Sequence, residues 1–424
     1  VSDPAASFEA MAASHDRCFW LDGGGARDWS GRRSITGWLD PGDVSLSYRA
    51  ATREVTRHVD GRSEVVGDDV FTVLEVELAA GSPDDQWFGY LGHASRPDLP
   101  ARASTDVPDA VWMRPSHVRM HEHPPEEARL PLAAPPRAGE RAPDDHRAAF
   151  ARVQEHLHAG NSYEINLTHR LAVDSDLAPA AAYLRLRRLN PAPYAGYLQH
   201  DVPGATAWLL SSSPERYALV SDGPGGRSIE TKPIKGTTPR GTTPADDEAQ
   251  RRRLVEDPRF RAENLMIVDL LRNDLAMVCE PGTVAVPTLM AVESYETVHQ
   301  LVSTVRGRLR DDVTTVQALR ALFPAGSMTG APKLRTMAII DEVEATPRGA
   351  YAGALGWLAA DGRADLGVVI RSLSTTGPDG PGGRATYHLG TGGGITVLSE
   401  VDDEHAEAAL KAARLLAVFD PDAG

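Results

Sequence analysis

Thr231-Lys232-Pro233-Ile234-Lys235-Gly236-Thr237 sets two lysines around a Pro-Ile pair and follows them at once with Gly-Thr. Proline fixes φ, and glycine opens conformations that other residues avoid. The segment reads as a shaped strand end that aims one side chain. A lysine aimed into a pocket can lose its proton and become a nucleophile. A lysine beside an ordinary turn is solvated, as most lysines are. Local sequence leaves both readings of Lys235 open.

The surrounding chain narrows the function classes. Its 424 residues, 42% of them hydrophobic, are ample for a large core. A formal net charge of −15 argues against nonspecific nucleic-acid binding. An anionic small substrate would need local cations or a metal to offset that field. Cys18 and Cys279 are too few for a disulfide framework or a cysteine-based zinc site, and they fit a reducing compartment. No apolar run reaches membrane-spanning length. Val1-Ser2-Asp3-Pro4 has neither the basic start nor the apolar stretch of a secretion signal. The expectation is a soluble cytoplasmic protein without a nucleic-acid or membrane partner.

Two portions are expected, 1–143 and 144–424, joined in one globular unit. Asp68 to Leu78 alternates in part, as a half-buried strand would, and Trp87 to Gly92 is a second apolar piece. From about His121 to Pro143, Pro, Glu, Arg and Ala dominate, a composition suited to a linker. His121-Glu122-His123 lacks neighbours that would complete a metal coordination set. Asp144 to Gly160 reads as an amphipathic helix ended by glycine. Strands are expected at 162–172, 194–200, 206–220, 227–234, 351–359, 365–373 and 385–390. A helical tract covers 245–277 with a break at Pro258. A helix starts near Pro332, with Leu334, Met337 and Ile340 as its apolar stripe. A last helix runs from Asp402 to Val418, and Gly377 to Gly383 reads as an exposed hairpin loop.

Glu404, Glu407 and Lys411 are spaced i, i+3, i+7 and share one face of the last helix. Two carboxylates one turn apart can hold a hard divalent cation such as Mg²⁺. The same pattern also describes a solvated acidic face with an i,i+4 ion pair. Glu263 lies in a helix apolar over much of its surface, where a charge needs a partner or a metal. Asp269, Arg272 and Asp274, further along it, read as structural ion pairs and a helix end. Gly326-Ser327-Met328-Thr329-Gly330-Ala331-Pro332 leads into a helix whose free N–H groups could bind a carboxylate. Gly390-Thr391-Gly392-Gly393-Gly394-Ile395 follows a strand and allows close approach of a ligand to the backbone; it is not a P-loop. Glu215, in Ser212-Ser213-Pro214-Glu215-Arg216, lies 20 residues before Lys235, and a hairpin could bring the two together.

These pieces, taken in order, resemble the chorismate-utilising enzymes over about residues 145–424. The motifs that carry the resemblance are Ser-Pro-Glu, Pro-Ile-Lys-Gly-Thr, Ala-Glu-Asn-Leu-Met-Ile-Val-Asp-Leu-x-Arg-Asn-Asp, Gly-Ser-x-Thr-Gly-Ala-Pro-Lys, Ile-Arg-Ser and the terminal acidic helix. The first 143 residues match only loosely, as the variable part of that family does. The resemblance implies an α+β fold, two large antiparallel sheets stacked with helices outside and the site between them. Within the family, three positions resemble the aminodeoxychorismate synthase component I branch. Lys235 stands where anthranilate synthases carry alanine, Ser327 where they usually carry threonine, and Gln300 where they place a histidine linked to pyruvate elimination. There are departures too. Phe260 replaces an acidic residue of some relatives, and Glu164 replaces a common glutamine. Asp22 and the Asn190-Pro191-Ala192-Pro193-Tyr194 turn resemble walls of a tryptophan site without establishing one.

What the resemblance implies is amination of chorismate at C4 to 4-amino-4-deoxychorismate, for 4-aminobenzoate supply to folate or to a specialised 4-aminobenzoate-derived metabolite. Glu263, Glu404 and Glu407 would hold Mg²⁺. Tyr351, Arg371, Lys411, Ser327, Thr329 and the Gly392, Gly393 and Gly394 backbone would bind substrate. Glu215 would act as general acid, and neutral Lys235, its discharge helped by Lys232, as nucleophile. The chain has no Gly-x-Cys-x-Gly glutaminase motif, so ammonia is expected from a separate glutamine amidotransferase subunit. The rival readings are anthranilate synthase component I, 2-amino-2-deoxyisochorismate synthase, and a non-catalytic module for an anionic metabolite.

Overall fold

Proline and glycine positions divide the chain into strands that fill two large antiparallel sheets. The computed structural model describes residues 4–23, 32–123, 141–223, 225–295, 298–378, 380 and 382–420. One sheet has nine strands, in the spatial order Gly330–Ala331, Glu164–Ser175, Ala385–Ile395, Ser372–Thr375, Ala207–Ser213, Tyr194–His200, Arg17–Asp22, Arg33–Trp38 and His117–Glu122. The other has twelve and runs from Ile234–Pro239 through Val298–Arg308, Gly226–Lys232, Arg216–Gly223, Ala364–Val368 and Ala354–Ala359. It continues through five strands drawn from residues 44–114, while Ala285–Ser294 pairs with Val298–Arg308 off this path. Both sheets therefore take strands from either side of residue 143, and neither belongs to one portion of the chain.

The sheets face each other across an apolar layer. Phe19 and Leu209 from the first sheet meet Phe88, Tyr90 and Leu355 from the second. The Phe19 and Phe88 rings stack with centroids 4.0 Å apart. Burying side chains of this size is worth about 1.5–3 kcal/mol each. Helices Ala5–Ser14, Pro179–Leu189 and Val401–Leu416 cover the outer face of the nine-stranded sheet. Pro258–Ala276 and Thr315–Leu322 pack on the twelve-stranded one. This is the expected α+β arrangement.

Two places where the chain crosses between sheets matter most. Ala207–Ser213 lies in the first sheet and Arg216–Gly223 in the second, so Pro214 and Glu215 span the gap. Proline cannot donate to a ladder, which is why the single strand expected over 206–220 breaks there. Ala364–Val368 and Ser372–Thr375 make the reverse crossing, with Arg371 in left-handed backbone (φ 51°). The two crossings are tied together: Val368 N donates to Glu215 O at 2.9 Å and Ser212 N to Arg371 O at 3.2 Å. An acid and a guanidinium are thus delivered to the space between the sheets.

Several local expectations need correction. Asp68–Leu78 does not form a strand; Val70–Ala80 is a helix. Asp69 caps it by accepting from Phe71 N and Thr72 N, and its buried residues Val70, Phe71 and Leu74 have helical spacing. The strand expected at 227–234 splits at Pro233. The Lys333–Val343 helix buries Met337 and Ile340, but Leu334 is 61% exposed. The glycine run at 390–394 continues strand Ala385–Ile395 rather than following it. At the start of the expected linker, His121 and Glu122 belong to strand His117–Glu122. His121 Nε2 and His123 Nε2 hydrogen-bond Thr36 Oγ1 (3.1 Å) and Ser34 Oγ (2.7 Å) instead of sharing a ligand. Residues 124–140 of that linker lie outside the described residues, as do 379 and 381 of the expected Gly377–Gly383 loop.

Candidate active site

A cavity of about 110 Å³ opens where the crossings meet the glycine-rich strand. Of the residues expected at the site, it is lined by Lys235, Glu215, Ser327, Tyr351, Arg371, Gly392, Gly393, Gly394, Lys411, Glu263 and Glu407. Gln300, Asn166 and Met328 complete much of the wall. Thr329 does not line it. Its side chain is fully buried, and its carbonyl accepts from Asn166 N at 2.9 Å, so it shapes the loop. Glu404 sits behind the strand: a Cβ on Gly393 would lie 3.2 Å from its Oε2.

Lys235 is neither solvated nor neutral. It is 9% exposed, and its ammonium touches Glu164 Oε1. Burial alone would lower its pKa, but Glu164, Glu263 and Glu215 together raise it above the ordinary lysine value. Lys232 gives no help in discharging it, being paired with Glu293 and outside the cavity wall. Gly394 makes the Lys235–Glu164 pair possible. A Cβ there would lie 2.2 Å from Glu164 Oε1 and 2.9 Å from Lys235 Nζ. Glu164 Oε2 is buried with no hydrogen-bond partner among the described residues.

Glu215 has the opposite character. Burial pushes its pKa up to about 7, against the lowering effect of the hydrogen bond donated by Ser327 Oγ and of the Lys235 charge. It can therefore be a protonated acid near neutrality. Tyr351 is pushed up to about 12 by burial and stays a phenol. Its ring lies against Gly390, where a Cβ would come within 2.3 Å of it. Arg371, lowered by burial to about 10, keeps its positive charge at neutral pH. Lys411 Nζ donates to Gly392 O at 2.8 Å and pairs with Glu407 at 2.9 Å. Gln300 lines the wall, and its Oε1 has no hydrogen-bond partner among the described residues. Its neighbour His299 turns away to Asp247 (3.0 Å) and Ser294 (2.8 Å).

The three glutamates proposed for a metal converge on a cation that sequence reading missed. Arg259 Nε lies 3.0 Å from Glu263 Oε1, and its Nη2 lies 2.7 Å from Glu404 Oε1 and 4.0 Å from Glu407 Oε2. The i,i+4 spacing of Arg259 and Glu263 was a readable signal. Among the described residues, no three His, Cys, Asp or Glu side chains are gathered closely enough to hold a metal directly. The donor chemistry nevertheless suits a hard dication. Burial, with Glu407 and Glu263 nearby, holds Glu404 up at about 7 even though Arg259 pulls it down. Arg259 and, at Glu407, Lys411 thus set two cations against three carboxylates, and a Mg²⁺ held there would add positive charge. Phe260 points instead toward Gly236 and packs with Leu254 and Leu301. In helix Pro258–Ala276, Asp274 pairs with Lys333 at 2.7 Å and Asp269 with Arg272 at 3.2 Å, both structural. Asp22 and Tyr194 line a separate cavity of about 70 Å³, with Asp22 held by Arg187, Tyr183 and Ser34.

Comparison with known proteins agrees with this arrangement. The chain is 39% identical over 476 residues to an aminodeoxychorismate synthase of Streptomyces pristinaespiralis, covering 99% of this chain and 64% of that protein. It is 42% identical over 268 residues to aminodeoxychorismate synthase component 1 of Salmonella typhimurium, covering 63% of this chain and 56% of that one. The chain thus spans less than two thirds of the length of these relatives. Anthranilate synthase component I from Streptococcus pneumoniae shares the fold, with a TM-score of 0.72 at 24% identity over 91% of this chain and 92% of that one. Residues 44–417 match the family described as chorismate binding enzyme, and the chain belongs to that family.

Proposed function

We propose that this chain aminates chorismate at C4 to give 4-amino-4-deoxychorismate, with Lys235 as a covalent nucleophile. The observation that carries the proposal is one cavity wall shared by Lys235, an acid poised near neutrality at Glu215, and Gln300. The relatives named aminodeoxychorismate synthase support the same reaction. Arg371, Lys411 and the Gly392–Gly394 backbone hold the substrate carboxylates. Lys235 first gives up its proton to solvent, leaving Glu215 protonated. Its neutral Nζ then bonds to C2 as the C4 hydroxyl leaves as water with the Glu215 proton. Ammonia bonds to C4, the C2–N bond breaks with its electron pair returning to Lys235 as the neutral amine, and Glu215 regains a proton from the new C4 ammonium. Two allylic displacements give retention at C4, each easier than one direct substitution. A Mg²⁺ held by Glu263, Glu404 and Glu407 would supply positive charge for a substrate carboxylate. The chain has no glutaminase nucleophile motif, and the Salmonella relative is named as one component. A glutamine amidotransferase component would supply the ammonia. The product would feed 4-aminobenzoate formation, for folate or for a specialised metabolite.

The test is a turnover assay with chorismate, Mg²⁺ and ammonium salt, with products resolved by mass spectrometry. The expected product keeps the enolpyruvyl group, glutamine does not replace ammonium, and EDTA stops the reaction. Anthranilate with released pyruvate would instead assign the anthranilate synthase reaction.

The protonation states fix a pH profile. The reactive form needs Glu215 protonated and Lys235 neutral, whereas at rest Lys235 holds its proton and Glu215 ionises above about pH 7. Below about pH 7 Glu215 is protonated and the neutral lysine fraction grows with pH. From there to the lysine pKa, loss of the Glu215 proton cancels further gain at Lys235. kcat/KM should therefore rise about tenfold per pH unit and level near neutrality. A profile that falls through pH 7 would show Lys235 entering the reaction already neutral.

A further inference from the structure

A buried ion pair, Glu344 with Arg348, lies under the loop that carries Ser327. Arg348 Nε donates to Glu344 Oε2 at 2.9 Å, and its Nη2 donates to Glu344 Oε1 at 2.7 Å. The rest of the guanidinium fork reaches main chain beside the active site. Nη1 donates to Met328 O at 2.6 Å and Nη2 to Asn166 O at 2.7 Å. Glu344 in turn accepts from Thr168 N and Thr168 Oγ1, each at 2.8 Å. One pair thereby ties together strand Glu164–Ser175, the turn Gly326–Met328 and the end of helix Lys333–Val343.

Helix stability does not account for this pair. Glu344 is the C-terminal cap of its helix, where a carboxylate meets the negative end of the dipole. Taking two charges out of water is costly as well, and apolar side chains in their place often serve stability equally or better. An apolar pair could not hold two carbonyl oxygens in a fixed geometry, and the point charge of a lysine could not reproduce the planar fork. The two carbonyls flank the hydrogen bond made to the acid. Met328 follows Ser327, whose hydroxyl donates to Glu215 Oε1, and Asn166 Nδ2 donates to Ser327 O at 3.3 Å. Met328 and Asn166 also line the active-site cavity.

We propose that Arg348 is a positioning residue for the general acid: by fixing Met328 O and Asn166 O, it holds Ser327 where its hydroxyl bonds Glu215. The consequence for turnover rests on the amination reading; the contact itself does not. Without the fork, both carbonyls lose that donor and the Ser327 hydroxyl is free to turn away from Glu215. Glu215 is also faced by the Lys235 charge, by Ile234 N and by the Tyr351 phenol. These remain when Arg348 is replaced by lysine, which keeps the charge opposite Glu344, so a change in the titration of Glu215 reports on Ser327.

The readout is that titration in the ligand-free protein, followed by the infrared band of the protonated carboxyl and identified by its loss in Glu215→Gln. The wild-type midpoint is expected at about 7. Ser327→Ala removes a bond that favours the ionised form, so the midpoint should rise by about one unit. Arg348→Lys should raise it by a similar amount, and the double variant Ser327→Ala, Arg348→Lys should move it no further. In turnover the bend in kcat/KM should follow the midpoint, with KM for chorismate changed less than about threefold. If thermal melts show Arg348→Lys unfolded, Arg348→Met with Glu344→Gln removes both charges together, keeps an acceptor for Thr168 and should give the same shift. A midpoint that stays in place in Ser327→Ala or in a folded Arg348 variant, or shifts that add in the double variant, would overturn the positioning role. Unfolding of both Arg348 variants would overturn it too, by showing the pair to be structural only. A wild type that makes another product from chorismate refutes the amination reading and leaves the infrared result standing, so the two failures are told apart.

Discussion

Replacing Lys235 by alanine is expected to lower the rate of amination by about three orders of magnitude or more, on the order of 4 kcal/mol of transition-state stabilisation. The loss falls on kcat, since the residue forms its bond only as reaction proceeds. A second consequence follows from the pairing with Glu164. The single variant strands a buried carboxylate whose other oxygen already lacks a partner. Such a charge costs about 3–5 kcal/mol of stability, and it repels an anionic substrate. Lys235→Ala alone therefore confounds chemistry with folding and binding. The double variant Lys235→Ala, Glu164→Gln separates them: thermal stability and chorismate affinity should recover, while turnover does not. In the wild type without ammonia, chorismate should add to Lys235 with loss of water, visible as a mass shift on the peptide containing that residue. Normal rates in the double variant would remove the covalent role.

The sequence made the site's chemistry more legible than its charge balance. Lys235, Glu215 and the glycine strand were readable because each sits at a backbone feature with a local signature, whereas Arg371 came only with the resemblance. Ser-Pro-Glu carries a proline that a strand ladder does not accommodate, Pro-Ile-Lys-Gly shapes a strand edge, and the Gly392–Gly394 run removes side chains from both faces of its strand. Their convergence came with the resemblance, since no local rule says that residue 215 crosses between sheets beside residue 371. Glu164 was visible only as a departure from a pattern. Its contact with Lys235 spans 71 positions of chain and leaves no periodic trace. The Arg259 bridge to Glu404 spans 145. Long-range ion pairs decide protonation, so a mechanism read from motifs alone made Lys235 neutral when its resting state is charged.

The same distinction explains the secondary-structure errors. Val70–Ala80 shows partial alternation, but one capping aspartate and the burial of Val70, Phe71 and Leu74 favour helix. Tertiary packing, which alternation does not see, selected between two patterns the sequence carried together. His146, His169 and His405 share no motif, yet their rings cluster in the fold. Only the folded sheet brings them within 6 Å of one another.

Glu164→Gln should raise turnover at neutral pH. The carboxylate is the first charge that holds the Lys235 proton on, and glutamine keeps the hydrogen bond without the charge. Losing one close opposite charge lowers a buried lysine pKa by about 1–3 units. The fraction of enzyme with neutral Lys235 and protonated Glu215 grows by the same factor, so the plateau of kcat/KM should rise about tenfold or more. The bend near pH 7 belongs to Glu215 and should stay in place, while the fall at high pH moves toward neutrality with the lysine. This signature differs from a packing defect, which would lower the plateau and leave both limbs where they were. An unchanged plateau with an unchanged high-pH limb would mean that substrate or metal binding, rather than Glu164, sets the charge of Lys235 at the moment of attack.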